Sequence, residues 1–182
     1  MCIRDRGSKV TLLGNNEYFN SVFVNQGPLP PVAEQTTTYT IALAAQNTAN
    51  DLTDAIVTMK LPPYVVWREV VRTGDNVTYS ERDHSVTWNI GKLSSRNQAT
   101  TAFQVAITPS QTQIGDTPVL VNRQQFKATD KFTGTLIRAS APPISTELPT
   151  ETGLDKYNGQ VLSEPGPDLN RPQIDETGRP IN

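Results

Sequence analysis

One histidine and one cysteine in 182 residues leave little with which to build a catalytic or metal centre. His84 stands in Glu81-Arg82-Asp83-His84-Ser85, a polar run between two stretches of alternating apolar residues. General acid–base work needs a partnered imidazole in a sheltered site, which the tip of a hairpin does not offer. A nucleophilic relay through Ser85, His84 and Asp83 fails on geometry, because consecutive side chains of an extended segment point to opposite faces. With Cys2 as the only thiol, neither a zinc cluster nor a disulfide framework can be assembled, and no cofactor is expected. The acid pairs Asp51 with Asp54 and Glu81 with Asp83 would hold Ca²⁺ only if loop carbonyls completed the shell. The alternating Asp/Asn and Gly pattern of a dedicated calcium loop is missing, so these acids read as turn and capping residues.

Lys60 and Asn122, near two strand ends, form the one pairing suited to an intramolecular isopeptide bond. That reaction needs a buried, neutral amine, an Asn in contact and a carboxylic acid to shuttle protons. Lys60 alternates away from the Val57–Met59 face, which places its amine in solvent. Tyr64 and Trp67, after Pro62-Pro63, offer a different chemistry: an aromatic platform for a glycan or a protein partner, or the closure of one end of a core. Trp88 belongs to the core because Val86 and Ile90 flank it at period two. Asn76-Val77-Thr78 is the one glycosylation-type triplet and reads as a turn leading into a strand.

The elements that must position these groups are strands. Charged residues make up only 19% of the chain, and its polarity comes from 23 Thr, 13 Asn and 11 Gln, a composition that suits half-buried pleated surfaces better than surface helices. Period-two alternation runs through residues 36–47, 52–61, 65–72, 77–80, 85–90, 101–108, 119–122, 124–130 and 135–140. Turn signals recur about every ten residues, the pattern of an antiparallel two-sheet β-sandwich. The expected core is Tyr39, Ile41, Leu43, Val57, Trp88, Phe103, Val105 and Phe126. A net charge of -2 gives no electrostatic footprint for nucleic acid, and no apolar run reaches the length of a membrane span.

The expected organisation has four parts. Residues 1–6, Met1-Cys2-Ile3-Arg4-Asp5-Arg6, resemble a string that recurs at the start of unrelated metagenome-derived proteins and are set aside as non-native. Residues 7–33 hold an N-terminal strand or the remnant of a preceding domain, with a strand at 21–25, followed by the linker Gly27-Pro28-Leu29-Pro30-Pro31. The sandwich occupies 34–141. Residues 142–182, with seven of the 14 prolines, form a disordered polar tail.

Several motifs, in this order, are similar to a bacterial surface repeat known as domain of unknown function eleven. They are Thr38-Tyr39-Thr40-Ile41, Asn47-Thr48-Ala49, Asp54-Ala55-Ile56-Val57-Thr58, Leu61-Pro62-Pro63, Val86-Thr87-Trp88-Asn89-Ile90-Gly91-Lys92-Leu93 and Phe103-Gln104-Val105-Ala106-Ile107-Thr108-Pro109, with Asn122, Asp130 and Gly134 closing the segment. The match covers roughly residues 34–140. It departs at Asn47-Thr48-Ala49-Asn50, where the family's turn glycine is missing. The resemblance implies an immunoglobulin-like fold in an extracellular or cell-surface protein of a candidate-phylum bacterium. It further implies a structural or adhesive role without catalysis, with neighbouring repeats or other surface proteins as partners. A carbohydrate- or protein-binding role through Tyr64 and Trp67 is the alternative. Strand edges, Thr135 to Ser140 among them, are the expected contact sites.

Overall fold

The computed structural model describes residues 7–149 and 159–164. In chain order the strands are β1 (Val10–Glu17), β2 (Thr37–Asn47), β3 (Leu52–Lys60), β4 (Val65–Val71), β5 (Val77–Ser80), β6 (Ser85–Leu93), β7 (Gln98–Ile107), β8 (Val119–Val121), β9 (Gln124–Asp130), β10 (Leu136–Ala141) and β11 (Ile144–Ser145). A front sheet has the order β1-β2-β7-β4, and a back sheet has the order β10-β9-β3-β6-β5. All pairs within these two sheets are antiparallel. The chain is an all-β, immunoglobulin-like two-sheet sandwich.

Alternation explains the core. On β2, Tyr39, Ile41, Leu43 and Ala45 face inward, opposite Val105, Phe103, Thr101 and Ala99 of β7. On β3, Val57 and Met59 sit opposite Trp88 and Val86 of β6. All eight expected core residues are at most 3% exposed. Pro62 stops β3 where a central strand can no longer donate to its neighbour.

The N-terminal segment differs from the expected pattern. β1 pairs along its whole length with β2, from Val10↔Asn47 to Glu17↔Thr40. The strand expected at 21–25 is absent. Residues 18–27 instead form a strap across the outer face of the front sheet, held largely by side chains. Gln26 N–H donates to Thr38 Oγ1 at 2.6 Å, Asn25 Nδ2 to Thr40 Oγ1 at 3.1 Å, and Gln104 Nε2 to the Val24 carbonyl at 3.0 Å. Side-chain amides and hydroxyls compete here with ladder formation.

Within the segment expected to be a tail, two stretches are structured. β11 pairs with β8, burying Ile144. Val161 and Leu162 lie parallel to Ile114 and Val32 respectively. Their backbone bonds run from Leu162 N to Pro31 O, Ala33 N to Leu162 O, Gly115 N to Val161 O and Val161 N to Asp116 O, each 2.9 Å. Such backbone pairing offsets ordering entropy that these side chains alone could not. Residues 150–158 and 165–182 of the expected tail, and residues 1–6, lie outside the described residues.

Candidate functional site

Tyr64 lies in the turn that precedes β4, closed by Val65 N–H donating to the Pro62 carbonyl at 3.0 Å, whereas Trp67 lies on β4 itself. Trp67 turns inward. Its ring stacks on Tyr79 at 5.4 Å and 14°, and tilts against Phe103 at 5.1 Å. β4 is an edge of the front sheet and β5 an edge of the back sheet, so this aromatic stack closes the open side of the sandwich. Tyr64 lies outside, 38% exposed, at the end of the sandwich that also holds residues 31–33. Partial burial pushes its hydroxyl pKa up, against a hydrogen bond with the Val119 backbone. The two rings therefore do not share one platform.

His84 occupies the β5–β6 turn, exposed, with a left-handed φ of 51°. Its Nδ1 is 3.0 Å from Tyr79 Oη. Ser85 Oγ donates to Asp83 Oδ1 at 3.0 Å, so neither Ser85 nor Asp83 meets the imidazole in these contacts. Hydrogen bonds from Ser80 and Ser85 hold the Asp83 carboxyl below its ordinary range. Burial, followed by the charges of Glu81 and Asp83, raises the pKa of Tyr79. The cluster is a hydrogen-bonded hairpin tip on an aromatic seam.

Asp51 is committed to a turn, where its Oδ1 accepts Ser95 N–H at 2.8 Å. Asp54 sits exposed at an irregularity of β3 with φ of 53°. Among the described residues, no three His, Cys, Asp or Glu side chains converge as metal ligands. The Lys60 carbonyl accepts the Asn122 backbone N–H at 2.9 Å, so the chain does bring these two positions together. Both side chains face solvent, however, and the burial that an isopeptide reaction needs is not met. Asn76, exposed, accepts Asn89 N–H through its carbonyl.

The most developed polar site is one that alternation could not reveal. Asp130, fully buried, ends β9 at the opposite end of the sandwich from Tyr64. Its carboxylate accepts from Asn50 Nδ2 at 3.0 Å, Phe132 N at 2.9 Å, Thr133 N at 3.1 Å and Ser8 N at 3.2 Å. Burial pushes its pKa up, but the bonds from Asn50, Thr133 and Ser8 outweigh that and hold it well below the usual carboxylate range. Asn47 supports the same end, its Nδ2 donating to the carbonyls of Asn50 and Ser94 at 2.6 and 3.1 Å. Side chains thus hold the Asn47–Asn50 turn in place. The only sequence signal was the Asn47-Thr48-Ala49-Asn50-Asp51 cluster with a distant Asp130.

No protein-family model matches the chain, and no curated protein matches it. Solved structures resemble it in fold. The major pilin subunit BcpA of Bacillus cereus shares 11% identity over 75% of this chain and 39% of its own, with a TM-score of 0.46. The full-length major pilin SpaD from Corynebacterium diphtheriae shares 15% identity over 80% of this chain and 38% of its own, also at 0.46. A GH20 exo-β-N-acetylglucosaminidase from Vibrio harveyi shares 14% identity over 75% of this chain and 18% of its own, at 0.38. The chain thus spans about two fifths of the length of these pilins. Likenesses at this level describe architecture and carry no argument about activity.

Proposed function

We propose that the chain is a non-catalytic structural module of a bacterial cell-surface or extracellular protein, set in line with neighbouring modules and carrying tension between them. The observation that carries this reading is where the chain enters and leaves the fold. Ser8 is fixed at the Asp130 end, and Val161–Leu162 are fixed beside Val32 at the other end, separated by the length of β2. That strand has 11 residues and spans about 33 Å.

The two attachments suit a lengthwise pull. Tension on the amino side draws β1 along β2, so the pairs from Val10↔Asn47 to Glu17↔Thr40 are loaded together and cannot open singly. On the other side, tension draws Val161–Leu162 along two parallel partners at once. A module of this kind works through its rigidity and its surfaces, which fits the similarity to the surface repeat noted above. The test is single-molecule extension of the whole chain held near its two ends. One cooperative rupture releasing about 500 Å of chain supports the reading. Stepwise release beginning with β1 at low force overturns it.

A further inference from the structure

We infer that the outer face of the front sheet is a docking surface for a second copy of this chain. The two outer faces differ in chemistry. The back sheet shows Lys60, Gln125, Lys127 and Arg138 to solvent, with Thr58 and Asn89 between them. The front side instead carries five exposed apolar residues, Leu13, Val22, Val24, Val66 and Val70, each between 37% and 83% exposed. Scattered single hydrophobes are ordinary, but a shared face of them marks an interaction site. The charged side chains of the two edge strands are Glu17 on β1 and Arg68 and Glu69 on β4, and Arg72, directly after β4, pairs with Asp75 at 3.0 Å and donates to Thr100 Oγ1 at 3.1 Å.

Shape points to a second copy as the occupant. The strap forms a ridge over the half of the face around Thr38, Thr40 and Gln104, with Val24 directed away from the sheet. The other half is a groove of about 270 Å³ floored by Ala42, Ala44, Thr100 and Ala102 and walled by Val22, Asn15, Glu17 and Arg72. A two-fold axis lying across the strands sets the ridge of each copy into the groove of the other, a closed isologous arrangement. The small floor residues permit the roughly 10 Å approach of stacked sheets.

Area sets the strength. Four strands about 4.8 Å apart, of 8, 11, 10 and 7 residues and so about 30 Å long on average, give a face of roughly 500 Å², so a dimer buries roughly 1,000 Å² in all. That is near the lower bound for a specific interface, so association is reversible and depends on concentration. This inference goes beyond the structural-module reading, and each can fail without the other.

Sedimentation velocity of the full chain from about 5 to 500 μM tests it. The expected result is a reversible monomer–dimer equilibrium in which Val24→Glu or Val66→Lys raises the dissociation constant at least about tenfold. Leu136→Lys, an exposed apolar position on the back sheet, leaves it unchanged. All three positions are exposed, and thermal melting like that of the unaltered chain shows the fold retained. A chain that stays monomeric throughout, forms open polymers, or responds to Leu136→Lys as strongly as to Val24→Glu overturns the inference.

Discussion

The backbone N–H of Ser8 donates to the carboxylate of Asp130 across 122 residues of sequence, at 3.2 Å and in a buried setting. The same carboxylate holds the turn at Asn50 and the β9–β10 turn at Phe132 and Thr133, so one side chain fastens three segments at one end of the sandwich. Asp130→Ala leaves those donors buried without an acceptor and is expected to cost about 3 kcal/mol or more, measured by urea denaturation.

The same group makes stability depend on pH. Its folded pKa lies below the unfolded value of about 3.9. The contribution is therefore complete above that value and is lost as pH falls below it toward the folded pKa. The unaltered chain should lose stability on acidification below about pH 4 more steeply than Asp130→Asn does. Parallel acid profiles for the two would remove Asp130 from its assigned role.

Tyr39 is fully buried, and its hydroxyl finds no hydrogen-bond partner among the described residues. Burial, with a smaller contribution from Tyr18, pushes its pKa far up. Tyr39→Phe removes an unpaired polar atom and keeps the ring, so it should leave stability unchanged or raise it by about 1 kcal/mol in chemical denaturation. A loss above about 1 kcal/mol would show that the hydroxyl is bonded in solution.

Trp67 and Tyr64 should separate sharply. Removing the ring that stacks on Tyr79 and leans on Phe103 is expected to cost about 3 kcal/mol for Trp67→Ala. Tyr64→Ala, at an exposed position, should cost under about 1 kcal/mol. Equal costs would contradict the assignment of Trp67 to the seam between the two sheets.

Gly159 has φ of 67° and packs against the Thr146–Glu147 backbone, where a Cβ would collide. Its carbonyl accepts Thr146 Oγ1 at 2.6 Å. Gly159→Val should release the segment at Val161–Leu162 while leaving β2 and β7 intact. Hydrogen exchange reads this directly, because Ala33 and Gly115 donate to Leu162 and Val161 and should lose protection together.

The sandwich was legible where alternation was strong, as in Tyr39-Ile41-Leu43 and Val86-Trp88-Ile90. β1 was not, because its inward positions after Val10 and Leu12 are Gly14 and Asn16. A Cβ at Gly14 would stand 2.9 Å from side-chain atoms of both Leu43 and Gln124, which would have to shift to admit it. A two-residue pairing such as Val161–Leu162 is too short to show a period, and the strap is held by side chains whose spacing carries none. Asp130 stood in the sequence only as the last residue of a strand, since the three segments it joins are distant from one another along the chain. At Tyr64 and Trp67 the residue types left an aromatic platform and a core closure both open, because spacing alone did not show that Tyr64 lies in the turn before β4 and only Trp67 on the strand.

The most direct measurement of the central claim compares two directions of pull on the same chain, with Cys2→Ser and new cysteine handles. In one, the handles lie at Gly7 and Glu164, so that load runs along the strands. In the other they lie at Thr78 on β5 and Arg138 on β10, the two edges of the back sheet, so that load runs across its strands and along its hydrogen bonds. The expected result is a clearly higher rupture force lengthwise than crosswise. An equal or lower lengthwise force would contradict a fold arranged to carry tension between its ends.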